Sequence, residues 1–360
     1  MHHPAGAFHV HSEHSHDSTL TLETIAQAAK TVDLDFVVLT DHNQQLASPI
    51  TIAGVTLFSY AELSTAFGHT VALGARTIPD KSGRLVRDIH QVVAREGGRS
   101  IIAHPSSLKR PWTGPYAGAG GLEIANVAAA LRRRAGIIYV GLLPALAVYR
   151  LQPDLALQQI YDRDDLALRR WDDITDPAFV GFCGADAHGW IDVPHNLNLW
   201  RVVLDQTLPE DVNQRADAIL EQLITGRFAC VAGAVARNPA FRFVAQTHTG
   251  ATVSTGGTAV ASDVARLVIE GPGHEGGNAM IVLLRHGDEI TRTAAASLLY
   301  DEPIPGTYRV EVRIALPEII IGARMVPILY SNRIQLLPSP GIQINTQPSP
   351  NLPQPTRDFP

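Results

Sequence analysis

The chain has 360 residues, of which 45% are hydrophobic and 18% charged, a composition typical of a globular protein. This length suffices for one large domain and a smaller one. The formal net charge of −6 argues against a general nucleic-acid-binding protein, which would carry a basic surplus. Only two cysteines are present, so we expect no disulfide framework, and Cys183 is expected to pack as a small core residue.

No segment approaches the roughly 18 uninterrupted apolar residues of a membrane span. The first residues lack the charged and then apolar pattern of a signal peptide. We therefore expect a cytoplasmic protein with a small-molecule substrate and no membrane or nucleic-acid partner. The sequence does not determine the oligomeric state.

Up to about residue 235, strand-like runs alternate with helical patterns. The runs rich in β-branched and aromatic residues are AFHVH, DFVVLTDH, TLFSYAEL, TVALGA, SIIAHP, GLEIAN and FVGFCGAD. Amphipathic helices are predicted in LTLETIAQAAKTV, RLVRDIHQVVAREGG and DVNQRADAILEQLITG, the last ending at Gly226. This alternation favours an α/β fold with a parallel sheet or a barrel, without determining the strand order.

The pattern changes near residue 236, where alternating strands with Gly-rich turns predict a small antiparallel β-sandwich. Its strand-like runs are FRFVAQTHTG, ARLVIEG, NAMIVLLRHGDEI, GTYRVEVRIAL and VPILYSNRIQLL, with turns expected at His286-Gly287-Asp288 and Pro305-Gly306. The Pro-rich remainder is predicted to be a disordered tail. The predicted domains are therefore residues 1–235, 236–338 and 339–360. The first two are expected to pack on each other, because no Gly/Ser-rich spacer separates them.

Nine imidazole and carboxylate residues lie at or just after the strand-like runs of the first half. They are His9, His11, Asp17, His42, Glu62, His69, His104, Asp186 and His188. The carboxyl ends of parallel strands converge, and i, i+2 alternation places His9 and His11 on one face, so we expect the nine to meet. One such histidine is more often a surface or core residue, but nine ionisable groups at one place need a common partner. Imidazole and carboxylate together suit Zn, Mn or Fe.

The motifs HVHSEHSHDS, LTDHN, AELSTAFGHTVALG, IIAHP and GADAHG resemble, in order, those of the PHP (polymerase and histidinol phosphatase) superfamily. The resemblance covers roughly residues 7–230. The segment WDDI and the ending PILYSNRIQL are most similar to the carbaryl-hydrolase-like branch. This resemblance implies a distorted (βα)7 barrel with two or three divalent ions.

The resemblance also implies three metal sub-sites. The first would use His9, His11, Glu62 and Asp186, the second Glu62 with His69 and His104, and the third Asp17, His42 and His188. Glu62 would then bridge two ions.

A metal-bridging hydroxide held by Glu62 and Asp186 would be the nucleophile, since divalent ions acidify bound water. Three divalent ions would outweigh the carboxylates and the hydroxide, and the remaining positive charge favours a phosphate ester as substrate. Carbamate or amide hydrolysis, known in the similar branch, is the alternative. A third possibility is an inactive metal-binding scaffold with the sandwich as an interaction module.

Four further residues are candidates for supporting roles. Asp41 could orient the neighbouring His42 or simply cap a turn, and these readings are about equally favoured. Lys109 and Arg110 follow His104 and could bind phosphate, although a solvated surface pair is the commoner arrangement. His195 could line the mouth of the site.

Overall fold

A computed structural model of the chain describes residues 3–78, 86–134, 148–149, 151–189, 191–236, 240–271, 279–317 and 322–339. The described residues form a mixed α/β structure with three sheets, and the strand pairs within each sheet do not close it into a barrel. The predicted tail beyond residue 339 lies outside the described residues. No helix in the described part of the chain is long and apolar enough to cross a membrane.

The helices are found mainly in the first two thirds of the chain. They are α1 (Leu22–Thr31), α2 (Val86–Arg95), α3 (127–134 in its described part), α4 (Pro153–Gln158), α5 (Asp165–Asp173), α6 (Val193–Leu199), α7 (Val212–Thr225) and the short 3-10 helix Ala261–Asp263. Helix α1 starts at Thr21, whose hydroxyl accepts a hydrogen bond from the Thr24 backbone. Helix α7 ends at Gly226 in the left-handed conformation, as predicted.

Eleven described strands precede residue 236. They are β1 (Ala5–Val10), β2 (Phe36–Leu39), β3 (Ile50–Ile52), β4 (Val55–Ser59), β5 (Glu62–Thr65), β6 (Gly68–Leu73), β7 (Arg99–Ile102), β8 (Gly121–Asn126), β9 (Val180–Gly184), β10 (Arg201–Leu204) and β11 (Phe228–Val231). Each predicted run contains a strand, but TLFSYAEL divides into β4 and β5. Strands β3, β10 and β11 and helices α3 to α6 were not predicted.

The first-half strands lie in two sheets that are mixed rather than purely parallel. Strands β1, β2 and β4 pair in parallel, as do β7, β8 and β9. Strand β10 runs antiparallel to β1 and to β11, and strand β6 runs antiparallel to β5 and to β7. The β5–β6 pair is joined by the short connection between Thr65 and Gly68, which antiparallel pairing allows, whereas helix α2 lies between β6 and β7 and helix α7 between β10 and β11.

Ten described strands follow residue 240. They are β12 (Arg242–Thr247), β13 (Thr252–Ser254), β14 (Thr258–Val260), β15 (Val264–Glu270), β16 (Ala279–Arg285), β17 (Asp288–Thr293), β18 (Ser297–Asp301), β19 (Gly306–Pro317), β20 (Ala323–Ser331) and β21 (Ile334–Leu337). The pairing is antiparallel except for β14 with β21, so a wholly antiparallel arrangement was wrong. His286 and Gly287 both have positive φ in the predicted turn between β16 and β17, as a tight hairpin requires.

The two halves share one sheet, because β20 pairs with β11. A buried ionic network reinforces this junction: Arg309 binds both carboxylate oxygens of Asp172, at 2.8 and 2.7 Å. Arg309 and Arg333 both lie against the ring of the buried Trp171 on α5. These contacts fit the expected packing of the two halves, while the boundary near residue 235 stays a prediction.

Cys183 on β9 and Cys230 on β11 form a disulfide, so the expectation that disulfides play no part in this fold was wrong. Cys183 is nevertheless fully buried in the hydrophobic core, as predicted. The two strands are separated by β10 in sequence and lie beside it in space. The sequence offered two cysteines but no indication of their proximity. Since disulfides persist mainly in oxidising compartments, the pair makes the thiol state of the protein a direct test of the predicted cytoplasmic location.

Candidate metal centre

All nine predicted ligand residues lie in one cluster. Their imidazole nitrogens and carboxylate oxygens form overlapping groups, with all donor atoms of a group within 4.8 Å of one another. The groups are His11, Asp17, His42 and His188; His9, His104 and Asp186; His9, His11 and Glu62; and His42, Glu62 and His69. These side chains, five of which are buried and four partly exposed, are close enough to hold metal ions.

Glu62 lies at the centre of the cluster and is buried. Its Oε2 lies 3.4 Å from Nε2 of both His9 and His11. Its Oε1 lies 3.0 Å from Nδ1 of His69 and 3.3 Å from Nε2 of His104. The two carboxylate oxygens thus face two different sets of histidines, which is the arrangement that a bridging carboxylate requires.

Asp17 occupies the outer side of the cluster. Its Oδ2 lies 3.3 Å from Nε2 of His42 and 3.1 Å from Nε2 of His188. The other nitrogen of His42 lies 3.3 Å from Glu62, and the ring of His188 stacks on His11 with centroids 4.1 Å apart. His42 and His11 therefore connect the outer group to the central one.

Asp186 closes the cluster from the loop after β9. Its Oδ1 lies 3.6 Å from Nε2 of His9, 3.8 Å from Nε2 of His11 and 3.5 Å from Nδ1 of His188. The backbone of Ala187 bridges to Val10, which places this loop beside the end of β1. The donor groups coincide with the three implied sub-sites only in part, since His104 also groups with His9 and Asp186, and His42 also groups with Glu62 and His69. The division into three sub-sites stays a prediction.

Three of the nine residues have left-handed backbones that L-residues rarely adopt: His9 with φ 66°, His104 with φ 31° and Asp186 with φ 47°. At His9 the pairing of β1 with β2 shifts register between Phe8 and Val10. A local bulge, rather than simple strand alternation, therefore aims His9 and His11 at Glu62. Such backbones cost of order 1–3 kcal/mol each and cluster at functional sites.

Several imidazole nitrogens in the cluster have no hydrogen-bond partner among the described residues. They are Nε2 of His9, Nε2 of His11, Nδ1 of His42 and Nδ1 of His104, and all are buried. Leaving buried polar atoms unpaired costs about 1–3 kcal/mol each. The unpartnered nitrogens of His9, His11 and His42 lie 3.4, 3.4 and 3.3 Å from Oε2 of Glu62. Imidazole nitrogens and a carboxylate at this spacing are donors that divalent ions bind, so the residues present fit a metal centre.

The charges within the cluster shift its pKa values in opposite directions. Burial alone would lower the pKa of His9, but Glu123, Glu62 and Asp186 raise it well above its usual range. Burial alone would raise the pKa of Asp186, but His9 and its neighbouring histidines lower it to about 2. Burial lowers the pKa of His11 to about 3. The cluster therefore combines ionised carboxylates with imidazoles. Among the imidazoles, His11 is kept neutral by its burial.

Two residues that contact the ligands were not predicted, Glu123 and Ser15. The Ser15 hydroxyl donates to Asp17 at 2.7 Å and accepts from the His42 backbone N–H at 3.2 Å. Glu123 Oε1 lies 2.6 Å from Nδ1 of His9. The available signal for Glu123 was a carboxylate inside the apolar strand GLEIAN, since a buried carboxylate needs hydrogen-bond donors.

Asp41 accepts hydrogen bonds from the backbone N–H and the hydroxyl of Ser12, at 2.6 and 2.7 Å. It therefore holds the loop after His11, and its described hydrogen bonds do not include the His42 ring. Burial raises the pKa of Asp41.

The predicted substrate-binding residues lie away from these contacts. Lys109 and Arg110 are exposed. The His195 imidazole pairs with Asp192 at 2.7 Å. Their role in substrate binding stays a prediction.

Comparisons with protein-family models and with curated proteins find no match to this chain. The functional argument therefore depends on the geometry of the cluster and on the motifs that form it.

Proposed function

We propose that this protein is a metal-dependent hydrolase of the PHP superfamily whose activity is phosphoester cleavage. The observation that carries the proposal is the convergence of nine imidazole and carboxylate groups, several with unpartnered nitrogens, from distant parts of the chain. Metal binding offers one common partner for all of them, whereas a purely structural role leaves the buried nitrogens unsatisfied.

The proposed architecture is a distorted seven-stranded barrel. Its support comes from two isolated bridges, Val10 with Ala187 and His42 with Glu62. The first sets β1 beside the loop after β9, and the second sets the residues after β2 beside β5. In the proposed barrel these bridges would join the regular pairs in the order β2, β1, β9, β8, β7, β6 and β5. The residues of both bridges belong to the cluster or adjoin it in the chain.

Two or three divalent ions of Mn, Fe or Zn, when bound, would supply an activated water and polarise the scissile group. Glu62 would help to hold two of these ions, Asp186 would act beside it with His9 and His11, and Asp17 would act with His42 and His188. Together with Glu123, which lies beside the cluster, there are four buried or half-buried carboxylates, and three divalent ions would exceed the combined negative charge of these carboxylates and one hydroxide. The surplus positive charge favours an anionic ester over a neutral carbamate.

The experiment is elemental analysis of purified and metal-reconstituted protein, followed by a panel of phosphomonoesters, phosphodiesters and aryl carbamates. We expect two or three ions per chain and turnover of a phosphoester. Less than one ion per chain after reconstitution would refute the metal centre. Metal binding without any hydrolysis would favour the alternative of an inactive metal-binding scaffold. Hydrolysis of carbamates alone would show that the substrate is a carbamate and not a phosphoester.

Glu62→Gln tests the bridging role at nearly constant side-chain volume. Because one oxygen is replaced by an NH2 group, we expect loss of at least one ion and of turnover. Glu311→Gln is the matched control, since Glu311 is also fully buried but lies in the ionic network with Arg309. Near-normal turnover in Glu62→Gln would refute the bridge.

A further inference from the structure

The buried carboxylate of Glu123 contacts two of the candidate ligands from outside the cluster. It lies on β8, is 1% exposed, and belongs to none of the groups of potential metal donors. Its Oε1 lies 2.6 Å from Nδ1 of His9, and its Oε2 accepts the backbone N–H of His104 at 2.7 Å. One side chain therefore joins the ligand that ends β1 to the ligand that follows β7.

We propose that Glu123 is a positioning residue that sets the tautomer of His9 and the backbone of His104 for metal binding. The inference rests on the proposed function, because it concerns the same metal centre. An ionised carboxylate only accepts hydrogen bonds, so when Nε2 of His9 gives up its proton to bind a metal ion, Nδ1 keeps its own. Its Nε2 then presents a lone pair on the opposite side of the ring, toward Glu62 at 3.4 Å and Asp186 at 3.6 Å.

The second oxygen acts on the strained backbone at His104. With φ 31°, His104 lies in the left-handed region, and its N–H points at Glu123 instead of extending the strand. A charge-assisted hydrogen bond is roughly twice as strong as a neutral one, so it offsets part of the strain. This backbone places Nε2 of His104 3.3 Å from Glu62.

Neighbouring residues hold the Glu123 carboxylate in one orientation. The Asn126 amide donates to Oε2 at 2.7 Å, so the two carboxylate oxygens have three donors between them. The β8–β9 pairing shifts register at Glu123, and a Cβ at Gly184 would overlap with Oε1. Because glycine has no Cβ, position 184 leaves room for the Glu123 carboxylate oxygen that contacts Nδ1 of His9.

Glu123→Gln tests the inference because it keeps size and removes one acceptor. The amide oxygen can serve the two donors at Oε2, but the NH2 group then faces Nδ1 of His9. His9 is forced into the other tautomer, with its proton on the nitrogen that faces the cluster. Loss of such an orienting partner typically costs about 10–100-fold in metal affinity.

We would measure Mn²⁺ and Zn²⁺ affinity and stoichiometry by competition with a chromogenic chelator, and the absorption spectrum of the Co²⁺-loaded protein. The proteins would be wild type, Glu123→Gln and Glu311→Gln, each with its apo melting temperature. We expect Glu123→Gln to lose about 10–100-fold in affinity with an altered Co²⁺ spectrum. Glu311→Gln should be less stable but bind metal like wild type.

Equal affinity and an unchanged Co²⁺ spectrum in Glu123→Gln, with wild type binding metal, would overturn the role of Glu123 alone. Equal losses of affinity in Glu123→Gln and Glu311→Gln would also overturn it, since they would follow from general destabilisation. Wild-type protein that binds no metal would overturn the proposed function itself.

Discussion

Replacing Arg309 by Met should show how strongly the two halves of the protein depend on each other. Arg309 is 1% exposed, and its guanidinium binds Asp172 with two hydrogen bonds and Glu311 at 2.7 Å. Methionine fills similar space but leaves these carboxylates buried and partly unpaired. Breaking a buried ion pair from one side typically costs about 3–5 kcal/mol of unfolding free energy.

The matched control is Arg266→Met, which removes a solvent-exposed pair with Asp301, where the two side chains are 43% and 65% exposed. Exposed pairs contribute about 1 kcal/mol or less. Urea unfolding at pH 7 should therefore separate the two variants clearly, with metal content unchanged in both. A loss below about 1 kcal/mol in Arg309→Met would refute the view that the ionic network stabilises the junction.

Two further predictions concern the same junction. Burial alone would raise the pKa of Glu311, but Arg309, Arg163 and Arg313 lower it to about 2 from its ordinary value of 4.5. The ionised Glu311 therefore contributes ~3 kcal/mol to the free energy of unfolding at neutral pH, and this contribution is present above pH 4.5 and lost as the pH falls through about 2. The difference in unfolding free energy between wild type and Glu311→Gln should narrow over this range. A difference that stays constant would contradict the low pKa assigned to Glu311. In a fragment of residues 1–235, β11 would lack its partner strand β20. We therefore expect the fragment to aggregate or to melt at a lower temperature than the full chain. A stable and fully metal-loaded fragment would show that the halves are independent.

Much of the candidate site follows from local sequence. His9, His104 and Asp186 each lie close to the carboxyl end of a strand that could be predicted from runs of β-branched and aromatic residues, whereas Glu62 begins β5 instead of ending a strand. Strand ends on one edge of a sheet converge, so the sequence predicted that these residues would meet. The helix end at Gly226 was likewise predictable, because glycine readily adopts the left-handed conformation.

Contacts between distant segments required the tertiary structure. Alternation predicted the approach of His9 and His11, but a bulge with a left-handed His9 produces it. The disulfide of Cys183 with Cys230 depends on how β9 and β11 lie around β10, and no local pattern records this.

Glu123 is the clearest example of this division. In sequence it is a carboxylate within an apolar strand, which indicates only that it needs donors. Two of its three donors lie on β1 and in the loop after β7, 114 and 19 residues away. The sequence by itself determined the strands, their ends and the ligand types, because these depend on the period and chemistry of neighbouring residues. Only the tertiary structure decided which partners each buried polar group has, since a hydrogen bond depends on distance and direction between segments that the chain brings together on folding.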